Sequence, residues 1–127
     1  MIYNNLISQD KIIDKIKSYS QTKKIPHAFL FHGSEGIGKL AYTIEFSAAI
    51  LCDNLIDDLA CGLCKSCLKI KKNQHENINF IHSLPRKGTL NKNTSISKVL
   101  NDSLIKKINT KFSEILKDPY VEFEIEK

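Results

Sequence analysis

The 127-residue sequence is short for two compact domains, and its 42% hydrophobic and 26% charged content is that of a globular chain rather than a disordered or fibrous one. A formal charge of +5 is carried almost wholly by lysine, with Arg86 the only arginine, and no basic stripe with interleaved aromatics marks a nucleic-acid surface. No apolar run approaches the roughly 18 residues of a membrane helix, and residues 1–10 lack the basic start of a signal peptide, so the expectation is a cytoplasmic chain with no membrane partner.

The first predicted element is a helix. Ser8, Gln9 and Asp10 supply a polar start, and Ile12, Ile13, Ile16 and Tyr19 recur at helical spacing. The pattern breaks over 20–24, and Pro26 holds the residue before it extended. Ala28-Phe29-Leu30-Phe31-His32 then forms a short apolar run ending at Gly33, the pattern of a strand buried on both faces in a parallel sheet. A second helix is predicted from about Gly38 to Leu51, with Ile37, Ala41, Ile44, Ala48 and Leu51 on its packed face.

After the cysteine segment a short helix is predicted through Leu68 and Ile70 to about Asn73, then a second strand over 78–81. Residues 83–96, polar and basic with Pro85 and Gly88, read as a loop or insertion. Ser97 can cap a further helix whose stripe is Leu100, Leu104, Ile108, Phe112 and Ile115, stopped by Asp118-Pro119. Residues 121–125 alternate like a strand. This order predicts an α/β fold with a parallel sheet flanked by helices. Two or three strands are few for such a sheet, so residues 1–127 read as the N-terminal portion of one larger domain.

Two motifs carry chemistry. Gly33-Ser34-Glu35-Gly36-Ile37-Gly38-Lys39-Leu40 follows the phosphate-loop pattern G-x-x-x-x-G-K and departs from it at the last position. Glycines there let backbone N–H groups turn inward at a helix N-terminus to cradle phosphate, and Lys39 would reach the outer phosphates. The next residue normally offers Mg²⁺ a hydroxyl; Leu40 has none, and Thr43 lies a turn too far along. ATP with Mg²⁺ is therefore a doubtful cofactor, hydrolysis is expected to be weak or absent, and no catalytic residue is assigned.

The second motif is Cys52-x8-Cys61-x2-Cys64-x2-Cys67. Four clustered thiols in a reducing compartment point to metal rather than disulfides, and four thiolates complete a closed tetrahedral Zn²⁺ site of structural type. An iron–sulfur cluster is the weaker alternative, because its fourth cysteine and proline are missing after Cys67. Thioredoxin-like chemistry needs one exposed pair rather than four clustered thiols. His27, His32, His75 and His82 are not spaced to join the cysteines.

With both motifs in one chain, residues 6–82 resemble the N-terminal domain of bacterial clamp-loader subunits, the tau/gamma and delta-prime proteins of the AAA+ class. The likeness is carried by Ile25-Pro26-His27-Ala28-Phe29-Leu30-Phe31-His32-Gly33 running into the loop and by the cysteine spacing after it. Leu6-Ile7-Ser8-Gln9 resembles the family's Gly-Gln segment near the adenine pocket, with Ser8 in the glycine's place. His75-Glu76-Asn77-Ile78 resembles a His-Pro-Asp stretch without its Pro and Asp.

The resemblance implies a P-loop AAA+ (RecA-like) domain with an inserted four-cysteine zinc module over 52–67. Its Walker B strand, sensors and collar would lie beyond Lys127. Leu40 and Ser8 favour delta-prime, the stationary partner, over the ATP-hydrolysing tau/gamma motors. Implied partners are tau/gamma and delta in a hetero-pentameric ring, with the sliding clamp and primed DNA reached through the DNA polymerase III complex. The alternatives left open are a tau/gamma-type ATPase and a stand-alone zinc-binding nucleic-acid module.

Overall fold

A computed structural model describes residues 1–7, 9–82 and 102–121. Four helices organise them: α1 (Asp10–Thr22), α2 (Lys39–Leu51), α3 (Lys65–Lys71) and α4 (Asp102–Ile115). The expected loop over 83–96, Ser97, Leu100, the expected strand beyond Val121 and the cap candidate Ser8 lie outside the described residues.

Helix α2 is the central element because it is apolar on two sides. Ala41, Ile44 and Ala48 face a core completed by Ile2, Tyr3, Ala60, Cys67, Ile70, Ile115 and Leu116. Tyr42, Phe46 and Ala49 face α1 through Ile16. Ile37, expected on this packed face, precedes the helix in the glycine loop and is exposed, while Leu51 is half-buried.

Helix α1 starts at Gln9, whose carbonyl accepts the N–H groups of Ile12 (2.8 Å) and Ile13 (3.1 Å). Its side chain makes no capping bond, and Asp10 favours the N-terminal dipole instead. The helix ends where Lys23 turns left-handed (φ 52°) and returns its N–H to the Tyr19 carbonyl, a chain reversal that hides one of the orphan carbonyls. Helix α4 buries Ile108, Phe112 and Ile115, the expected stripe, with Leu104 half-buried.

The sheet is where expectation and structure differ. Among the described residues no strand ladder forms, and the one bridge is a tight pair, Ile56 with Leu59. Residues 28–32 are not a strand buried on both faces: Leu30 is 85% exposed, while Phe29 and Phe31 turn toward α1 and α2. Phe29 packs edge-on to Tyr19 (5.1 Å) and Phe46 (4.6 Å), so one side of the run is held by aromatic contacts. Residues 78–81 likewise pair with no neighbour; Phe80 stacks on Phe112 at 5.0 Å and Ile81 is 97% exposed. The physical reason is that a strand exists only through a neighbour's N–H and C=O groups, and none of the described residues runs alongside these segments.

Candidate functional site

The four cysteines, 15 residues apart in sequence at most, converge at one end of α2. Cys52 caps the C-terminus of α2 in extended geometry, Cys61 and Cys64 flank Gly62, and Cys67 sits in the first turn of α3, buried. Their sulfurs all lie within 4.8 Å of one another, with Cys52–Cys64 at 3.8 Å, Cys61–Cys67 at 3.9 Å and Cys52–Cys67 at 3.7 Å. A tetrahedral ion with metal–sulfur bonds of about 2.3 Å sets sulfurs about 3.8 Å apart, so the cluster fits a single metal ion. The spacing is far too long for disulfides, and all four cysteines are free.

Backbone donors surround these sulfurs. The N–H groups of Leu63 (3.4 Å) and Cys64 (3.2 Å) point at Cys61 Sγ, Cys67 N–H at Cys64 Sγ (3.4 Å) and Cys61 N–H at Cys52 Sγ (3.3 Å). Such donors favour the thiolate, the form that binds metal: those from Leu63 and Cys64 bring Cys61 down to about 6. Burial pushes the Cys52 and Cys67 thiols up. A cation placed among them would reverse that penalty, as deprotonation on metal binding requires. His75 stays apart, with Nε2 2.7 Å from Ser66 Oγ, and no histidine joins the four sulfurs among the described residues.

Two devices build the loop between Cys52 and Cys61. Asp57 (φ 49°) and Asp58 (φ 62°) form a two-residue turn of the mirror-image type, closed by reciprocal bonds of 3.0 Å between Ile56 and Leu59. Ser20 Oγ donates to the Asp58 carbonyl at 2.6 Å, and Gln21 Nε2 to its carboxylate at 2.6 Å, tying the hairpin to α1. At Gly62, φ is 75° and a Cβ would stand 2.6 Å from the Met1 carbonyl oxygen. The Met1 amino group itself donates to the Ala60 carbonyl, so the N-terminal strip lies directly against the cysteine loop.

At the other end of α2 lies the glycine loop. Ser34, Glu35, Gly36 and Ile37 are exposed, and Gly36 (φ 74°) and Gly38 (φ 82°) turn left-handed so that Gly38 caps α2 without a side chain. Lys39 Nζ folds back to donate to the carbonyls of Gly33 (3.1 Å) and Ser34 (2.7 Å). Leu40 is half-buried and packs against the main core, so its place in the motif offers neither a hydroxyl nor a polar surface. Thr43 Oγ1 is committed to the Lys39 carbonyl at 2.9 Å.

Motif reading missed three residues that support these sites. Glu45, on the buried side of α2, accepts the Tyr3 N–H at 2.7 Å. Tyr42 and Tyr120 hold the main chain at Ile7 from either side. A charged residue at an inward position of an apolar helix was the available signal for Glu45. Tyr120 gave none, because its contact at Ile7 spans 113 residues of sequence.

Several known proteins share this sequence pattern. The sequence profile of the family described as DNA polymerase III, delta subunit, matches residues 8–117. Over 68 residues the chain is 31% identical to Protein STICHEL-like 1 of Arabidopsis thaliana, covering 53% of this chain and 6% of that protein. It is 26% identical over 70 residues to DNA polymerase III subunit tau/gamma of Haemophilus influenzae, covering 55% and 10%. To the Replication factor C small subunit of Methanosarcina acetivorans it is 38% identical over 52 residues, covering 41% and 15%. The chain therefore spans only a minor part of the length of these relatives. No solved structure matches. Tau/gamma and Replication factor C relatives, together with a profile match over most of the chain, place it among clamp-loader-type AAA+ subunits: it belongs to the DNA polymerase III delta-subunit family.

Proposed function

We propose that this chain is the N-terminal part, as one unit over residues 1–127, of a delta-prime-like subunit of the DNA polymerase III clamp loader. It acts as a structural partner in opening the sliding clamp and placing it on primed DNA. The observation that carries this reading is the pairing, on one helix, of a four-sulfur cluster with a glycine loop whose Mg²⁺-ligand position is Leu40 packed into the core. Cys52, Cys61, Cys64 and Cys67 would hold Zn²⁺ as a structural staple, with no open coordination position for chemistry. Gly33 to Leu40 retains the shape of a phosphate cradle but lacks the group that positions the ion bridging the phosphates.

In this reading the main-chain edges of residues 28–32 are where neighbouring strands of a parallel sheet would pair, and the exposed Leu30 side is the face that further helices would cover. Tau/gamma and delta subunits of a hetero-pentameric ring are the protein partners, and the cytoplasm is the compartment. The test is reconstitution of the full-length protein with tau/gamma and delta. Ring assembly and clamp loading should require it, while Lys39→Ala should leave both unchanged.

The tau/gamma relatives favour a second reading, an ATP-hydrolysing motor subunit. Turnover by the full-length protein at a motor-like rate, abolished by Lys39→Ala, would establish that reading instead.

A further inference from the structure

The geometry points to Lys71 as the counter-charge of the four-sulfur cluster: its ammonium lies beside the Cys61–Cys64 turn and offsets the negative charge that four thiolates leave on a divalent cation, so it sets how tightly the metal is held. This rests on the reading of the cluster as a zinc staple, and deepens it by naming a positioning residue outside the ligand set.

Two observations place the ammonium there. A Cβ on Gly62, inside the turn between Cys61 and Cys64, would sit 3.4 Å from Lys71 Nζ. Because Gly62 has no Cβ, the ammonium comes close to the main chain of the turn that surrounds the sulfurs. Lys71 also stands four residues after Cys67 on α3, so the two share one side of the helix, one turn apart.

Charge gives that position its effect. Four thiolates on one divalent cation leave a net charge of two minus. Main-chain N–H groups disperse part of it: those of Leu63 and Cys64 serve Cys61, that of Cys67 serves Cys64, that of Cys61 serves Cys52, and that of Gly62 serves Cys67. These are dipoles and none carries a full positive charge. Asp53 adds a further negative group beside α3, its carboxylate accepting the Ser66 N–H at 3.4 Å.

Among the lysines on and beside α3, Lys69 is paired with Glu76, and Lys65 and Lys72 are exposed. Lys71 is half-buried, and neither ion pair among the described residues uses it. A charge held in a partly desolvated place acts on a nearby anion more strongly than one surrounded by water and salt. The buried Glu45 carboxylate interacts with the same ammonium, so two anionic groups draw on Lys71.

The experiment measures zinc affinity of the full-length protein by chelator competition, in low and in high salt, for wild type, Lys71→Met, Lys71→Arg and Lys72→Met. In low salt Lys71→Met, which keeps an apolar stem and loses the charge, should hold zinc at least fivefold less tightly than wild type, and salt should narrow the gap. Lys71→Arg should stay within twofold of wild type, and so should Lys72→Met, because that lysine is exposed. A smaller loss in Lys71→Met, a loss in Lys71→Arg as large as in Lys71→Met, or a gap indifferent to salt overturns the inference, since a packing role would give those results. If Lys71→Met does not fold, Lys71→Gln takes its place with the same outcomes. Wild-type protein that holds no zinc would sink the staple reading itself, whereas zinc-loaded wild type with Lys71→Met equally tight would sink this inference alone.

Discussion

Glu45 accepts the main-chain N–H of Tyr3 at 2.7 Å from a position only 1% exposed on α2, and Tyr3 in turn donates its hydroxyl to the Ile115 carbonyl at 2.9 Å. One carboxylate thus joins the N-terminal strip to the helix that carries both candidate sites, and the strip to the end of α4. Burial raises the Glu45 pKa above its ordinary 4.5, against the lowering effect of the Tyr3 and Ile2 N–H groups. The folded state therefore holds this proton more tightly than the unfolded one, and the stabilisation is complete below about 4.5 and lost as pH rises through the raised value. Wild type should accordingly lose stability relative to Glu45→Gln as pH climbs from about 4.5 in urea titrations. A gap between the two that stays constant with pH would show that Glu45 is not perturbed. Glu45→Ala, which strands the Tyr3 N–H, should cost about 1–3 kcal/mol at low pH, and the gap should narrow as the wild type loses stability with rising pH.

Removing a sulfur from the cysteine cluster should remove the metal. Protein purified without chelator is expected to carry one zinc per chain by elemental analysis, and Cys64→Ser should carry none and melt lower. Structural zinc contributes on the order of 10 kcal/mol of apparent binding energy to small domains, so chelation of the wild type should lower its melting temperature by many degrees. A metal-free wild type with an unchanged melt would dismiss the staple.

Gly62 and Gly36 share a left-handed backbone, with φ of 75° and 74°, but differ in what surrounds them. A Cβ at Gly36 meets nothing within 4 Å, whereas at Gly62 it meets the Met1 carbonyl oxygen at 2.6 Å. Gly36→Ala should cost about 1–2 kcal/mol from backbone strain alone. Gly62→Ala should cost clearly more and loosen metal binding with it, as denaturant unfolding and zinc competition would reveal. Equal losses at the two positions would mean that the Met1 contact carries no weight.

Ser20 Oγ has one proton and three carbonyls in reach: Asp58 at 2.6 Å, Lys17 at 2.9 Å and Ile16 at 3.1 Å. The shortest bond spans from α1 to the cysteine hairpin. Ser20→Ala should therefore cost about 1 kcal/mol and speed amide exchange in the Ile56–Leu59 turn. Exchange that is unaffected there would confine the serine to its own helix.

The helices were legible because their signals are local. Ile12, Ile16 and Tyr19 in α1, Ala41, Ile44 and Ala48 in α2, and Ile108, Phe112 and Ile115 in α4 repeat at the period that buries one side of a helix. The strand expected at 28–32 rested on composition alone, and apolar composition does not supply the neighbouring backbone that makes a strand. The cysteine cluster was legible for the same reason as the helices, since cysteines separated by two residues are close enough along the chain to bring their sulfurs together. The Asp57–Asp58 turn was not read, because two aspartates at positive φ are less common there than Asn-Gly.

The sequence by itself determined the cluster of four cysteines, the glycine loop, the missing hydroxyl at residue 40 and the faces of the helices, all of which depend on residue type at short spacing. Only the tertiary structure decided that Leu40 packs against the core, that Glu45 fastens Tyr3, and that Tyr120 lies against Gly38 and bonds Ile7. Those contacts join residues from 42 to 113 positions apart or depend on which side of a helix the core occupies. Side-chain burial and hydrogen bonding at such separations are set by how the chain packs, and no periodicity in the sequence encodes them.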